Sequence, residues 1–214
     1  MTTQAQTQPK SVTVDAEGDS TMWGYRKQPD GTVIQVPQNP PVLLQQSLRA
    51  AVGPSVTVQN NAISGTSLGN RMDGTGGFVQ PYATFAAANH ADIVIENFAL
   101  NDTNQYSVEQ FQSYLTAFVQ QSQQLGRIVV LEEPNPTNVE AFNQLVAQRV
   151  AVIDAVAQMY NVPVVKQWDY IQSLPNWQSL LSPDGIHPSD ALYAIKAQRE
   201  ESVIAPLVKS LTGG

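Results

Sequence analysis

The chain has 214 residues, 42% of them hydrophobic, enough for one well-buried domain, and no linker marks a second. Its 18 acidic and 11 basic residues give a formal charge of −7 with no Lys/Arg cluster, which leaves nothing for a nucleic-acid backbone or an anionic membrane to bind. Cysteine is absent, which excludes disulfides, thiolate metal sites and cysteine catalysis, and no stretch approaches the roughly 18 apolar residues of a membrane helix, so no membrane insertion is expected.

Residues 1–10 are polar, so no signal peptide is read there; a flexible tail is expected, followed by a single domain over 11–214. The Gln/Thr-rich opening suits a mature end left by a removed export signal, which points to a periplasmic or secreted protein. A natural cytoplasmic start is the alternative.

Strands are predicted over 11–16, 55–60, 92–98, 127–132 and 162–167, each short, rich in Val or Ile and continuous rather than alternating, as in a sheet covered on both faces. Between the first two, residues 24–40 carry the hairpin signal Asp30-Gly31 flanked by Tyr25 and Val33-Ile34-Gln35-Val36. A helix follows over 41–52. The glycines at 69, 74, 76 and 77 predict a mobile loop over 66–81, long enough to wall an active site. Ser107 and Gln110 form a capping-box pattern for a helix over 108–125, and Thr137 and Glu140 form another for a helix ending near Met159. In that second helix Phe142, Leu145, Val146, Val150, Ile153, Val156 and Ala157 make one apolar stripe. A last helix is expected from Ser189 to about Leu211, with Pro206 as a kink site. Alternating strands and helices imply parallel βαβ units: a three-layer α/β/α sandwich of flavodoxin-like build with about five parallel strands. Such sheets bind ligands beyond the carboxyl ends of their strands.

Two segments there carry chemistry. Gly18-Asp19-Ser20 follows the first strand, where a glycine lets the backbone turn sharply into the serine. Taken alone the triplet is also a common surface turn. Asp184-Gly185-Ile186-His187-Pro188, near the other end, supplies a general base with a carboxylate three residues before it. Its bland reading is an Asp-Gly turn with an incidental histidine.

Together these segments resemble the first and last blocks of the SGNH (GDSL-type) hydrolase superfamily of serine esterases. The second block is similar to Asn60-Asn61-Ala62-Ile63-Ser64-Gly65, and the third to Ala99-Leu100-Asn101-Asp102, with Ala99 where the family has glycine. The resemblance implies a triad of Ser20, His187 and Asp184, and an oxyanion hole made by the N–H groups of Ser20 and Gly65 and the side chain of Asn101. It implies no metal and no cofactor. Ala99 is expected to narrow the acyl site or shift its loop. Trp23, Tyr25 and Ile186 are candidate substrate contacts, with simple packing as the other reading for the two aromatics.

The expected substrate is a small acyl ester, foremost acetyl, with a carbohydrate alcohol. A lysophospholipase or thioesterase, an acyltransferase, and a catalytically idle carbohydrate-binding domain are the alternatives. Glu17, Glu96, Glu132 and Glu133 near strand ends admit glycosidase or hard-metal chemistry, with hydrogen bonding of loop backbone as the expected role. Asp19 is expected to brace its loop, His90 to sit at a helix end or surface, and Trp168 and Trp177 to pack.

Overall fold

The computed structural model describes residues 10–28 and 30–213, so the tail expected over 1–10 lies, except for Lys10, outside the described residues. In chain order the strands are β1 (Val12–Gly18), β2 (Tyr25–Lys27), β3 (Val33–Gln35), β4 (Val56–Asn60), β5 (Ile93–Asn97), β6 (Ile128–Glu132) and β7 (Val164–Val165). The helices are α1 (Ser20–Trp23), α2 (Pro40–Val52), α3 (Leu68–Asp73), α4 (Tyr82–Ala88), α5 (Asp102–Gln105), α6 (Val108–Gln124), α7 (Glu140–Tyr160), α8 (Trp168–Ser173) and α9 (Asp190–Thr212).

Five parallel strands form the central sheet in the order β4-β1-β5-β6-β7. Side chains alternate between its two cores. Val94 of β5 and Val129 and Leu131 of β6 pack beneath α3, α4, α6 and α7, whereas Ile93, Ile95 and Val130 pack with α2 and α9 on the opposite face. Each such aliphatic side chain contributes about 1.5–3 kcal/mol on full burial, which is why the strands read as unbroken apolar runs. The chain leaves β1 for one edge and then returns to its other side, so the crevice lies between the carboxyl ends of β1 and β5, where Gly18 pairs with Asn97.

The hairpin forms as β2 and β3, with Tyr25 opposite Gln35 and Lys27 opposite Val33. Residues 66–81 depart from the expected loop. Ser67 and Asn70 cap each other to open α3, Gly69 lies within it against the Tyr106 ring, and Gly74 closes it with φ 70°. Ser107 and Gln110 make the expected capping box, but Thr137 and Glu140 do not. Instead Asn143 bonds back to Thr137, accepting its N–H at 2.8 Å and donating to its carbonyl at 2.7 Å, and α7 begins only at Glu140. Leu145, counted in the α7 stripe, is exposed, while Arg149 is buried and donates to the Tyr106 carbonyl at 2.6 Å. The last helix runs from Asp190, capped by Ser189, and continues through Pro206.

Candidate active site

The first segment is positioned by the end of β1. Gly18 has no room for a side chain: a β-carbon there would meet the Met22 β-carbon at 2.5 Å and the Asn97 carbonyl oxygen at 2.8 Å. Close approach rather than a sharp turn therefore requires glycine. Asp19, buried, caps α1 by accepting from the Thr21 N–H at 2.8 Å and its hydroxyl at 2.9 Å. Burial nevertheless pushes the Asp19 carboxyl above its ordinary range. Ser20 opens α1.

The second segment is a braced loop. Ser182 donates its N–H to the His187 carbonyl (2.7 Å) and its hydroxyl to that of Pro188 (3.1 Å), and Asn135 donates to the Ile186 carbonyl (2.9 Å). Gly185 takes φ 70° and its carbonyl accepts from the Asn138 N–H at 2.7 Å. The loop brings Asp184 Oδ2 to 2.8 Å from His187 Nδ1, and His187 Nε2 to 2.9 Å from Ser20 Oγ. Partial burial raises the Asp184 carboxyl, but the N–H groups of His187 and Ile186, both bonded to Oδ1 at 3.0 Å, and the His187 ring outweigh it and hold the carboxyl below its ordinary value. Tyr25 stacks on His187, with ring centroids 3.9 Å apart and planes at 24°. The Tyr193 hydroxyl pins the Tyr25 carbonyl at 3.0 Å.

A cleft of about 440 Å³ opens over Ser20 and His187, and Gly65, Asn101, Tyr25 and Ile186 line it. Asn101 donates through Nδ2 to the Thr66 carbonyl at 2.7 Å, which commits one amide hydrogen and leaves the other for a ligand. Trp23 is not part of this lining; it packs with the α2–α9 core. Ala99 does not narrow the cleft either. Its methyl is wholly buried in the core beneath α3 and α6, and the residue takes φ 107° while its N–H bonds Asp102 at 3.1 Å.

Leu100, Val139 and Phe142 form an apolar wall that the sequence reading missed. Phe142 belongs by its spacing to the α7 stripe, and its position in the first turn of α7, just after the loop that leaves β6, is the sequence signal for a place at the cleft. None of the four strand-end glutamates reaches the cleft. Glu17 pairs with Arg71 at 2.7 Å and Glu132 with Lys196 at 3.1 Å, while Glu96 accepts from the Phe98 N–H at 3.0 Å and Glu133 from the Trp168 N–H at 2.9 Å. Among the described residues no three His, Asp or Glu side chains gather in a metal-binding arrangement.

A family model described as the GDSL-like lipase/acylhydrolase family matches residues 16–195. No curated protein matches the chain significantly. Among solved structures, a lipase/acylhydrolase from Enterococcus faecalis is similar at a TM-score of 0.75 and 20% identity, covering 92% of this chain and 96% of the other. TesA is similar at 0.72 and 20% identity, over 91% and 99% of the two chains. A catalytic mutant of an acetylxylan esterase from Geobacillus stearothermophilus is similar at 0.70 and 17% identity, over 92% and 96%.

Proposed function

Because the chain belongs to the GDSL-like lipase/acylhydrolase family, and so is a carboxylic ester hydrolase, we propose that it removes small acyl groups, foremost acetyl, from a carbohydrate alcohol through an acyl-enzyme on Ser20. The carrying observation is the continuous Ser20–His187–Asp184 hydrogen-bond chain at the mouth of a lined cleft. His187 Nε2 takes the hydroxyl proton as Ser20 Oγ attacks the ester carbonyl, and Asp184 steadies the resulting imidazolium. The oxyanion accepts from the Ser20 and Gly65 N–H groups and from Asn101 Nδ2. His187 returns the proton to the leaving alkoxide. Water, deprotonated by the same ring, then splits the acyl-serine to free acid and regenerated hydroxyl.

Spacing supports the same assignment: catalytic mutants of the Geobacillus acetylxylan esterase replace an aspartate and a histidine three positions apart, as Asp184 and His187 are here. One observation favours a second reading, a longer acyl chain: the wall of Leu100, Val139, Phe142 and Ile186. A p-nitrophenyl ester series from acetyl to decanoyl tests both. The proposal expects a maximum at the short end and a loss of at least about 10⁴-fold in kcat for Ser20→Ala. A maximum at octanoyl or decanoyl selects the second reading, and an active Ser20→Ala removes the serine mechanism.

A further inference from the structure

A second depression runs along the free edge of the sheet. β4 is an edge strand whose Val56 and Val58 face the α2–α9 core, while Thr57 and Gln59 on its other face are exposed. That face borders a groove of about 670 Å³, lined by Gln59, Asn60, Asn61, Gln80 and Asn89 together with Phe85. A smaller hollow of about 260 Å³ shares Asn60, Asn61, Gln80 and Phe85 with it and extends to Ile63. Ser64 and Gly65, the next two residues, line the cleft over Ser20. Segment 63–65 is therefore the ridge between groove and cleft.

The lining has a definite chemistry. Four carboxamides, those of Gln59, Asn61, Gln80 and Asn89, line the groove with His90, and the lining contains no carboxylate, lysine or arginine. The Asn60 side chain turns the other way, donating to the Trp23 carbonyl at 3.4 Å and accepting from the Ala62 N–H at 3.2 Å. The adjoining hollow has Arg71, which is buried and paired with Glu17. Each carboxamide offers both donors and an acceptor, as adjacent sugar hydroxyls do, and uncharged amides lose less on desolvation than ions would. Two of them are held from beneath. The buried Asp15 carboxylate accepts from Asn61 Nδ2 at 2.7 Å and from Asn89 Nδ2 at 3.2 Å, with Arg127 at 3.2 Å balancing its charge. Among the described residues the Oδ1 atoms of Asn61 and Asn89 and the side chains of Gln59 and Gln80 have no hydrogen-bond partner within the protein. One face of the half-buried Phe85 ring lies under the Arg71 guanidinium at 4.1 Å, and the rest of the ring adds apolar surface to the groove. A peptide strand added to β4 fits less well, because Gln45 already accepts from the Val58 N–H at 2.9 Å and Arg49 donates to the Val56 carbonyl at 2.8 Å.

We propose that this groove is a binding subsite for an uncharged oligosaccharide, holding the sugar chain of an acylated glycan while the ester crosses the 63–65 ridge to Ser20. Only the second clause rests on the reading of Ser20 as nucleophile. The test titrates Ser20→Ala protein with unacylated xylohexaose, mannohexaose and cellohexaose, following side-chain amide NMR resonances. At least one should bind at millimolar concentration and move the Gln59, Asn61, Gln80 and Asn89 resonances, and Gln59→Ala/Gln80→Ala should weaken it about tenfold. In the wild-type background that double variant should raise KM for an acetylated polymer of the same sugar and leave p-nitrophenyl acetate kinetics unchanged. The proposal is overturned if no neutral hexasaccharide moves those resonances, if oligogalacturonate moves them more strongly, or if the double variant binds as well as its parent. Hydrolysis of p-nitrophenyl acetate by Ser20→Ala would instead strike the serine mechanism and leave the groove result standing.

Discussion

Tyr25 covers one face of the His187 imidazole, the ring that in the proposed mechanism takes up the Ser20 proton and so becomes a cation in the transition state. An aromatic face attracts a cation by about 0.5–2 kcal/mol, so the stacking at 3.9 Å strengthens in the transition state rather than in the bound substrate. Tyr25→Leu should therefore lower kcat about tenfold with little change in KM, and Tyr25→Phe should keep the wild-type rate; steady-state kinetics on p-nitrophenyl acetate separate the two. At Ala99 the forces oppose each other. Relief of the φ 107° backbone in Ala99→Gly is worth about 1–3 kcal/mol, against about 0.8 kcal/mol for the lost methyl and 0.5–1 kcal/mol for glycine's extra chain entropy. Urea denaturation should show a change between a loss of about 1 and a gain of about 2 kcal/mol, and the acyl-length profile should not move, because the methyl lies outside the cleft. The segments that meet at Ser20 and His187 were legible because their patterns are local: an aspartate and a histidine three apart, and a serine in Gly18-Asp19-Ser20. The stacking of Tyr25 was not, since it depends on how a hairpin meets a loop from the far end of the chain.

Elements were legible in proportion to their length. Helices α2, α6, α7 and α9 run for several turns and show their period, whereas α3, α4 and α8 have six or seven residues, too few for a 3.6-residue repeat to declare itself. The Ser67/Asn70 pair was the readable sign of α3, and four glycines outweighed it. At Thr137 the opposite happened: a capping pattern was present, but the Asn143 side chain bonded the Thr137 backbone and kept the chain extended for two more residues. The seating of α9 also escaped hydrophobic patterning, because part of it is ionic. Lys196 is fully buried against Glu132 at 3.1 Å and reaches Asn97 at 3.4 Å. Removing the cation alone strands a buried carboxylate, so Lys196→Met should cost about 3–5 kcal/mol, and adding Glu132→Gln should recover most of it. Urea midpoints of the two variants check this; equal losses would contradict it.

Across the whole molecule the parallel sheet of five strands followed from alternation of elements, but the number of carboxyl groups buried within the fold did not. Burial raises Asp102 to about 6 even though its oxygens accept from the Leu68 and Ala99 N–H groups. Burial, then Asp15, raises Glu17 to about 8 against the pull of Arg71. Acids whose folded values lie above their unfolded ones, near 4, bind more protons when folded. Their contribution is therefore most favourable at acid pH and declines as pH rises through about 6 and then 8. Asp184, held low, gives up its own contribution only below its unfolded value and does not offset this window. Thermal unfolding should accordingly show a midpoint a few degrees higher at pH 5 than at pH 8.5; a rise toward alkaline pH would refute the assignment.

The 2.9 Å contact between Ser20 and His187 joins residues 167 positions apart in the chain. Four of the five sheet strands lie between them in the chain, with β1 made before Ser20 and α9 after His187. Turnover is thus a gauge of completed folding. In refolding from urea, ester hydrolysis should recover later than far-ultraviolet circular dichroism.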